Sequence, residues 1–257
     1  MMMKKTCFWI LSVLLFQISS AAANFSLTPF YVFFDADSKD RSDVVRMTNT
    51  SPEAKTYRIE LINYKQNSDG SYQKIDQPLT GNPFASPYIG FSPRETTLQP
   101  RQSQTVRILR KAMAAAPDGE YVSHLWIHEM PGHKRQAPAA EGNKLSVELK
   151  ALYGVTIPVI IDKGELHSSG KIVSAKIVNS ENPYAEVVVA RSGNRSFWGN
   201  IEIKEGKEIL GKVDNFKIFM TTAERRLKIP LSRLPKSPLQ LILTDARTNE
   251  RISVKNM

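Results

Sequence analysis

The chain has 257 residues, 41% of them hydrophobic and 23% charged, with a formal net charge of +10. That length suits one large or two modest domains, and a single cysteine excludes a disulfide framework within the chain. So basic a balance would point to nucleic acid in a cytosolic protein, but the N-terminus gives a different address.

The chain opens MMMKKTCFWILSVLLFQISSAAANF: two lysines, an apolar run from Cys7 to Ile18, then Ala21-Ala22-Ala23. This is the order of a secretory signal peptide, predicted to be residues 1–23 and cut after Ala23. The run falls short of the ~20 apolar residues needed to span a bilayer, and no later run approaches that length, so no membrane span is expected. Cys7 leaves with the signal, and the remaining 234 residues must be stabilised by their core alone. Without Lys4 and Lys5 the 35 basic residues become 33 against 25 acidic ones, a net charge of +8. In an exported protein this suits acidic proteins, carboxylates or anionic surfaces rather than nucleic acid, or simply a solvated basic surface.

After the signal, strand patterns follow one another. SDVVRMTN (42–49) and KTYRIELINYKQ (55–66) carry apolar residues at alternate positions, and Asp69-Gly70 signals a hairpin into YQKI (72–75). TVRILR (105–110) alternates again, and EYVSHLWIHEM (120–130) is a strand in which Tyr121 and Trp126 are expected in the core. PGHKRQAPAAEGN (131–143) cannot be a strand and reads as a loop. KLSVELKALYGVTIPVII (144–161) then alternates Leu145, Val147 and Leu149 against Ser146, Glu148 and Lys150, and runs on into a second apolar stretch, 155–161. The second half is patterned in the same way, with KIVSAKIV, AEVVVAR, SFWGNIEIKEG, KEILGKV, NFKIFM, RLKIPL, LQLILTD and RISVKN reading as seven or eight short strands. DKGELHSSG (162–170) is the one hydrophilic break suited to a hinge. The expectation is all-β, two antiparallel β-sandwich domains at 24–160 and 164–257.

Enzyme-like motifs fail on spacing. His128, Glu129 and His133 exceed the zinc-protease spacing by one residue, and His124 and His128 on one strand face stand about 13 Å apart, too far for one zinc. Gly164 to Lys171 has five residues between its glycines where a phosphate loop has four, and Asp35 to Asp40 lacks the glycine and distal glutamate of a calcium loop. No G-x-S-x-G elbow occurs. No catalytic residue, metal site or cofactor is expected.

The strand at 144–153 is the most informative segment. Leu145, Val147 and Leu149 either face the first domain's own core, or lie at an open sheet edge that can add a strand to a partner. Ser92, Pro93, Leu98, Pro100, Val106 and Arg107, followed by Glu129-Met130-Pro131 and the TIPVII exit with Pro158, bear on that choice through a resemblance. In that order they resemble the periplasmic pilus-assembly chaperones of the PapD type, over Phe25 to about Ile161. The resemblance implies two immunoglobulin-like sandwiches at an angle with a cleft between them. It also implies a periplasmic, non-enzymatic role: lending the strand to a pilus or fimbrial subunit (donor-strand complementation) until an outer-membrane usher receives it. The lending side chains would be Leu145, Val147 and Leu149, each worth roughly 1.5–3 kcal/mol on burial before ordering costs. Unused chaperones of this kind can also cover the strand by pairing with themselves.

One departure stands out. The family holds the subunit's terminal carboxylate with an arginine on the first strand and a lysine on the last; those positions fall near Tyr31 and Tyr153, and Lys150 is the closest basic residue on the last strand. Either this marks a divergent branch with another anchor, the reading preferred here, or the register of the resemblance is offset by one or two residues. Arg94, Arg101, Arg107 and Arg110 could form a basic face for acidic partners or an ordinary solvated face. A two-sandwich structural or adhesive surface protein remains the rival reading, and a secreted hydrolase a weaker one.

Overall fold

A computed structural model describes residues 25–76, 84–132 and 151–257. The expected signal peptide, Leu145, Val147, Leu149, Lys150 and most of the 131–143 segment read as a loop lie outside the described residues.

The described chain before residue 164 forms ten strands: β1 Phe25–Thr28, β2 Val32–Asp35, β3 Ser42–Asn49, β4 Lys55–Gln66, β5 Tyr72–Ile75, β6 Ile89–Ser92, β7 Glu95–Leu98, β8 Ser103–Arg110, β9 Gly119–Glu129 and β10 Gly154–Lys163. They make two sheets, β1-β3-β8-β6 and β2-β10-β9-β4-β5, with β7 added to β4. The first extended segment is shared: β1 pairs antiparallel with β3, and after Pro29 the chain crosses so that β2 pairs parallel with β10. The alternation seen in sequence becomes the inner face. Ile59, Leu125, Ile127, Ile157 and Ile161 are all buried between the sheets, each worth about 1.5–3 kcal/mol.

Seven strands complete the chain: β11 Ser168–Val178, β12 Tyr184–Gly193, β13 Phe197–Glu205, β14 Glu208–Ile218, β15 Glu224–Pro230, β16 Leu239–Asp245 and β17 Arg251–Asn256. They form sheets β11-β12-β15 and β14-β13-β16-β17 around a second core that includes Val187, Phe197, Ile203 and Leu241. KEILGKV and NFKIFM, expected as two strands, are one: β14 continues through Asn215 (φ 55) by slipping its register against β13 instead of breaking. At Val173 in β11 a bulge exposes a carbonyl, and Lys255 Nζ caps it at 3.0 Å. This is one of the devices that blunt a sheet edge.

The polar stretch read as a hinge is shorter than it looked, since β10 runs to Lys163 and β11 begins at Ser168. Asn194 ties the intervening turn to the residue before β9: Nδ2 donates to the carbonyls of Glu165 (2.9 Å) in the turn and of Asp118 (3.3 Å), and Oδ1 accepts from His167 N–H (2.9 Å).

Candidate functional site: an open half-edge beside a fixed joint

β10 pairs with β9 along its whole length, Gly154 with His128 through Lys163 with Gly119. On its other side β2 covers only Val159 to Asp162. Two hydrogen bonds fix which backbone groups face that side: Glu129 N–H donates to Tyr153 O, and Ala36 N–H donates to Asp162 O. The register between them is unbroken, so odd residues bond to β9 and even residues point away from it. Gly154 and Thr156 therefore present N–H and C=O groups to an edge that no strand among the described residues pairs. Pro158, the next even residue, has no N–H to offer, and proline is tolerated in a sheet only at such a position.

The apolar parity runs out of the core along this segment. Ile157 is 1% exposed, whereas Val155, on the same face, is 39% exposed. Leu152, Tyr153, Phe30, Tyr31 and Phe33 are also exposed. The cause is topological: β2's lead-in leaves for the other sheet at Pro29, and so cannot cover the start of β10.

The two anchor tyrosines are not brought together. Val32 pairs with Val159, which sets Tyr31 level with Pro158, five residues or roughly 16 Å along β10 from Tyr153. The four arginines share no face either. Arg110 is buried and donates to Ser38 O at 2.9 Å, Arg94 lies 4.8 Å from the Phe91 ring, Arg101 occupies a turn with φ 64, and only Arg107 stands on an exposed strand face. Of the other motif residues, Leu98 and Val106 are fully buried. Glu129, buried, accepts from the half-buried Lys55 Nζ at 2.8 Å, and this hydrogen bond holds the Lys55 ammonium above its usual range. Burial, reinforced by Glu129, pushes the neighbouring Tyr57 hydroxyl up to about 12.

Tyr121 is in the core as expected, its hydroxyl donating to Pro117 O at 2.7 Å. Trp126 is not. It stands on the outer face of β9, stacked on His128 with ring centroids 3.9 Å apart, and Lys74 Nζ lies 5.1 Å above the indole. His128 Nε2 meets Glu60 Oε2 at 3.1 Å. Gly154 makes this packing feasible: a Cβ there would come within 2.8 Å of the indole nitrogen and 3.0 Å of His128 Cβ.

The opposite end of the same strands joins the second sandwich. Glu120, buried at the start of β9, accepts hydrogen bonds from Ser196 Oγ and Ser196 N–H, with Arg195 at 3.9 Å and Arg247 at 4.0 Å. Asp162 lies 3.5 Å from Arg195, and burial raises its carboxyl above the usual range in spite of that arginine. Alongside, Gln66 donates its backbone N–H to Thr221 Oγ1 (3.0 Å), and its side-chain amide accepts from Phe219 N–H (2.9 Å) and donates to Lys217 O (3.2 Å). Tyr64, Tyr72, His124 and Phe219 line a pocket of about 80 Å³ there. His124 packs edge-on to Tyr64, its Nδ1 is buried without a partner among the described residues, and burial lowers its pKa to about 4. Sequence reading missed this joint because its members are single polar residues at strand ends, far apart along the chain.

Among the described residues no helix is long and apolar enough to cross a membrane, and no cluster of three or more His, Cys, Asp or Glu is placed to hold a metal ion. No protein-family model matches the sequence, and no curated protein matches it significantly. Solved structures do match. A chain from the chaperone–tip adhesin complex of CFA/I fimbriae biogenesis superposes with a TM-score of 0.53 at 14% identity, over 91% of this chain and 98% of that one. A chain from the CsuC–CsuE chaperone–tip adhesion subunit pre-assembly complex, of the archaic chaperone-usher Csu pili of Acinetobacter baumannii, does so at 0.50 and 12% identity, over 91% and 97%. At such identities the likeness speaks for the fold, and it agrees with the motifs read from Ser92 to Pro158. The chain has the two-sandwich fold of the pilus-assembly chaperones.

Proposed function

We propose that this protein is a periplasmic chaperone that binds a pilus or fimbrial subunit by strand lending and passes it to an outer-membrane usher. The observation that carries the reading is the half-edge at Gly154 and Thr156, bordered by exposed Leu152, Tyr153 and Val155. Leu145, Val147 and Leu149 have the same odd parity as Val155 and Ile157, so a strand continued towards residue 144 would present all of them on one face. A partner missing one strand of its own sandwich would gain the edge hydrogen bonds and that apolar row together. No group transfer is required, and the reading is of a binding protein, not an enzyme. Tyr31, Lys150 and Tyr153 remain candidates for holding a partner's carboxylate, the tyrosines by a single neutral hydrogen bond each.

The test is periplasmic co-purification of the natural chain and the Val147→Asp plus Leu149→Asp variant, with bound partners identified by mass spectrometry. A small β-rich subunit held one-to-one by the natural chain and lost from the variant is the expected result. An unchanged partner set with both forms folded would return these side chains to an ordinary core role.

A further inference from the structure

Trp126 is placed where its size is not explained by the core. It pairs across the ladder with Thr156, yet leans diagonally so that its Nε1 occupies the space a Cβ of Gly154 would need, 2.8 Å away. Gly154 is an even residue, so its backbone points to the open edge while the missing side chain would have stood on the outer face, where Trp126 is. The indole is held there by the His128 ring stacked at 3.9 Å, itself bonded to Glu60 at 3.1 Å, and by Lys74 at 5.1 Å. Its N–H makes no hydrogen bond among the described residues. A fixed donor therefore sits over the first unpaired glycine of the edge.

We propose that Trp126 is a specificity-determining residue of this edge: its indole N–H reads a hydrogen-bond acceptor on the side chain that a pairing strand sets beside Gly154. This deepens the strand-pairing reading above and rests on it. A strand added at the edge places the residue opposite Gly154 with its side chain on the outer face, next to the indole. Glycine offers that neighbour no side chain, so the nearest group it meets from β9 is the indole N–H. Asp, Asn, Glu and Gln carry an acceptor within reach, and the Lys74 ammonium over the ring is offset by the Glu60 carboxylate paired opposite Trp126, so the four are read alike. Val or Leu there would cover the N–H and leave it without an acceptor.

The probes are fluorescein-labelled nine-residue peptides alternating Val and Thr, with one central guest residue, read by anisotropy against the purified mature chain. The natural chain is expected to bind peptides with Asp, Asn, Glu or Gln as guest at least fivefold more tightly than those with Val or Leu. Trp126→Phe keeps a stacked ring without the N–H, and should bring all guests within twofold while still binding. Gly154→Ala, which must displace the indole, should flatten the preference in the same way, and thermal melts establish that both variants fold. Equal guest preferences in the natural chain and Trp126→Phe would overturn the role of Trp126 and leave strand pairing standing. Failure of every peptide to bind the natural chain would overturn the open-edge reading, and this inference with it.

Discussion

Acid should weaken this protein through His124 before it weakens the carboxylates. In the unfolded chain a histidine takes up its proton near pH 6.5, whereas burial against Tyr64 and the second sandwich lowers the folded value to about 4. Between those values the unfolded state binds a proton that the folded state does not, so stability is complete above about pH 6.5 and is lost as pH falls towards 4. The full shift corresponds to about 3 kcal/mol, and at pH 5 about 2 kcal/mol of it should already be gone. Urea unfolding of the natural chain and of His124→Phe, at pH 7.5, 6.0 and 5.0, measures the difference. The phenyl ring keeps the contact with Tyr64 and cannot titrate. Comparing the slopes of the two proteins against pH removes contributions common to both, including Asp162, whose raised carboxyl pKa makes acid stabilising at that site. A histidine NMR signal titrating near pH 4, lost in the variant, would identify the group directly. Parallel pH dependence in the two proteins would refute the reasoning.

Other perturbations act through single buried groups. Glu129→Gln should destabilise the first sandwich by about 2 kcal/mol, because it replaces the charge-assisted hydrogen bond between the buried carboxylate and Lys55 at 2.8 Å and leaves the ammonium only the exposed Glu53 at 3.6 Å. A thermal melt would then fall by roughly 4–8 °C. Asn49→Ala removes the donor to Leu98 O (3.0 Å) and Glu53 O (2.7 Å) and the acceptor for Ser51 N–H (2.9 Å), and should cost about 2–3 kcal/mol in chemical denaturation. Gly70→Ala forces a side chain onto φ +90 with Arg225 Nη2 2.6 Å from the new Cβ. It should cost about 1–3 kcal/mol and speed hydrogen exchange at Arg226 N–H, which donates to Ser68 O across the joint at 2.6 Å.

The strands were legible because their signal is local. Tyr57, Ile59 and Leu61 alternate on their own, and Asp69-Gly70 closes the hairpin between β4 and β5 as its composition predicts. Where both parities of a strand are bulky, alternation loses its meaning. In EYVSHLWIHEM, Tyr121, Leu125 and Ile127 face one way and Val122, His124 and Trp126 the other, and only the tertiary neighbours decide that the second set is outside. The two strands expected from 207–220 became one because a slip in register absorbs Asn215, an event set by β13 and invisible in β14's own residues. The edge expected at 144–153 lies mostly outside the described residues, and the half-edge at Gly154 and Thr156 has a cause that no local pattern carries: it depends on β2 joining β10 only from Val159 onward, a parallel pairing between segments more than 120 residues apart. The missing basic anchor was visible as a departure at Tyr31 and Tyr153, whereas their separation along β10 required the register.

The edge and the joint are opposite ends of one pair of strands. β10 spans nine steps from Gly154 to Lys163, about 30 Å, and is hydrogen-bonded to β9 throughout. At the far end the two sandwiches are tied by Glu120 and Asp162, by the Asn194 clamp, and separately by Gln66 and Arg226. Ties on two sides of the contact restrain rotation of the second sandwich in a way that a single polar turn could not. The composition of 162–170 suggested a hinge, but polar residues in a short connection are also what a hydrogen-bonded joint requires. A ladder of ten paired residues joins the edge to the joint, and the groups that set the position of the second sandwich lie at the end of that ladder away from the edge. Substitutions at Glu120 should therefore alter how the two sandwiches are set relative to each other while leaving the pairing groups of Gly154 and Thr156 intact, and substitutions at Gly154 should do the reverse.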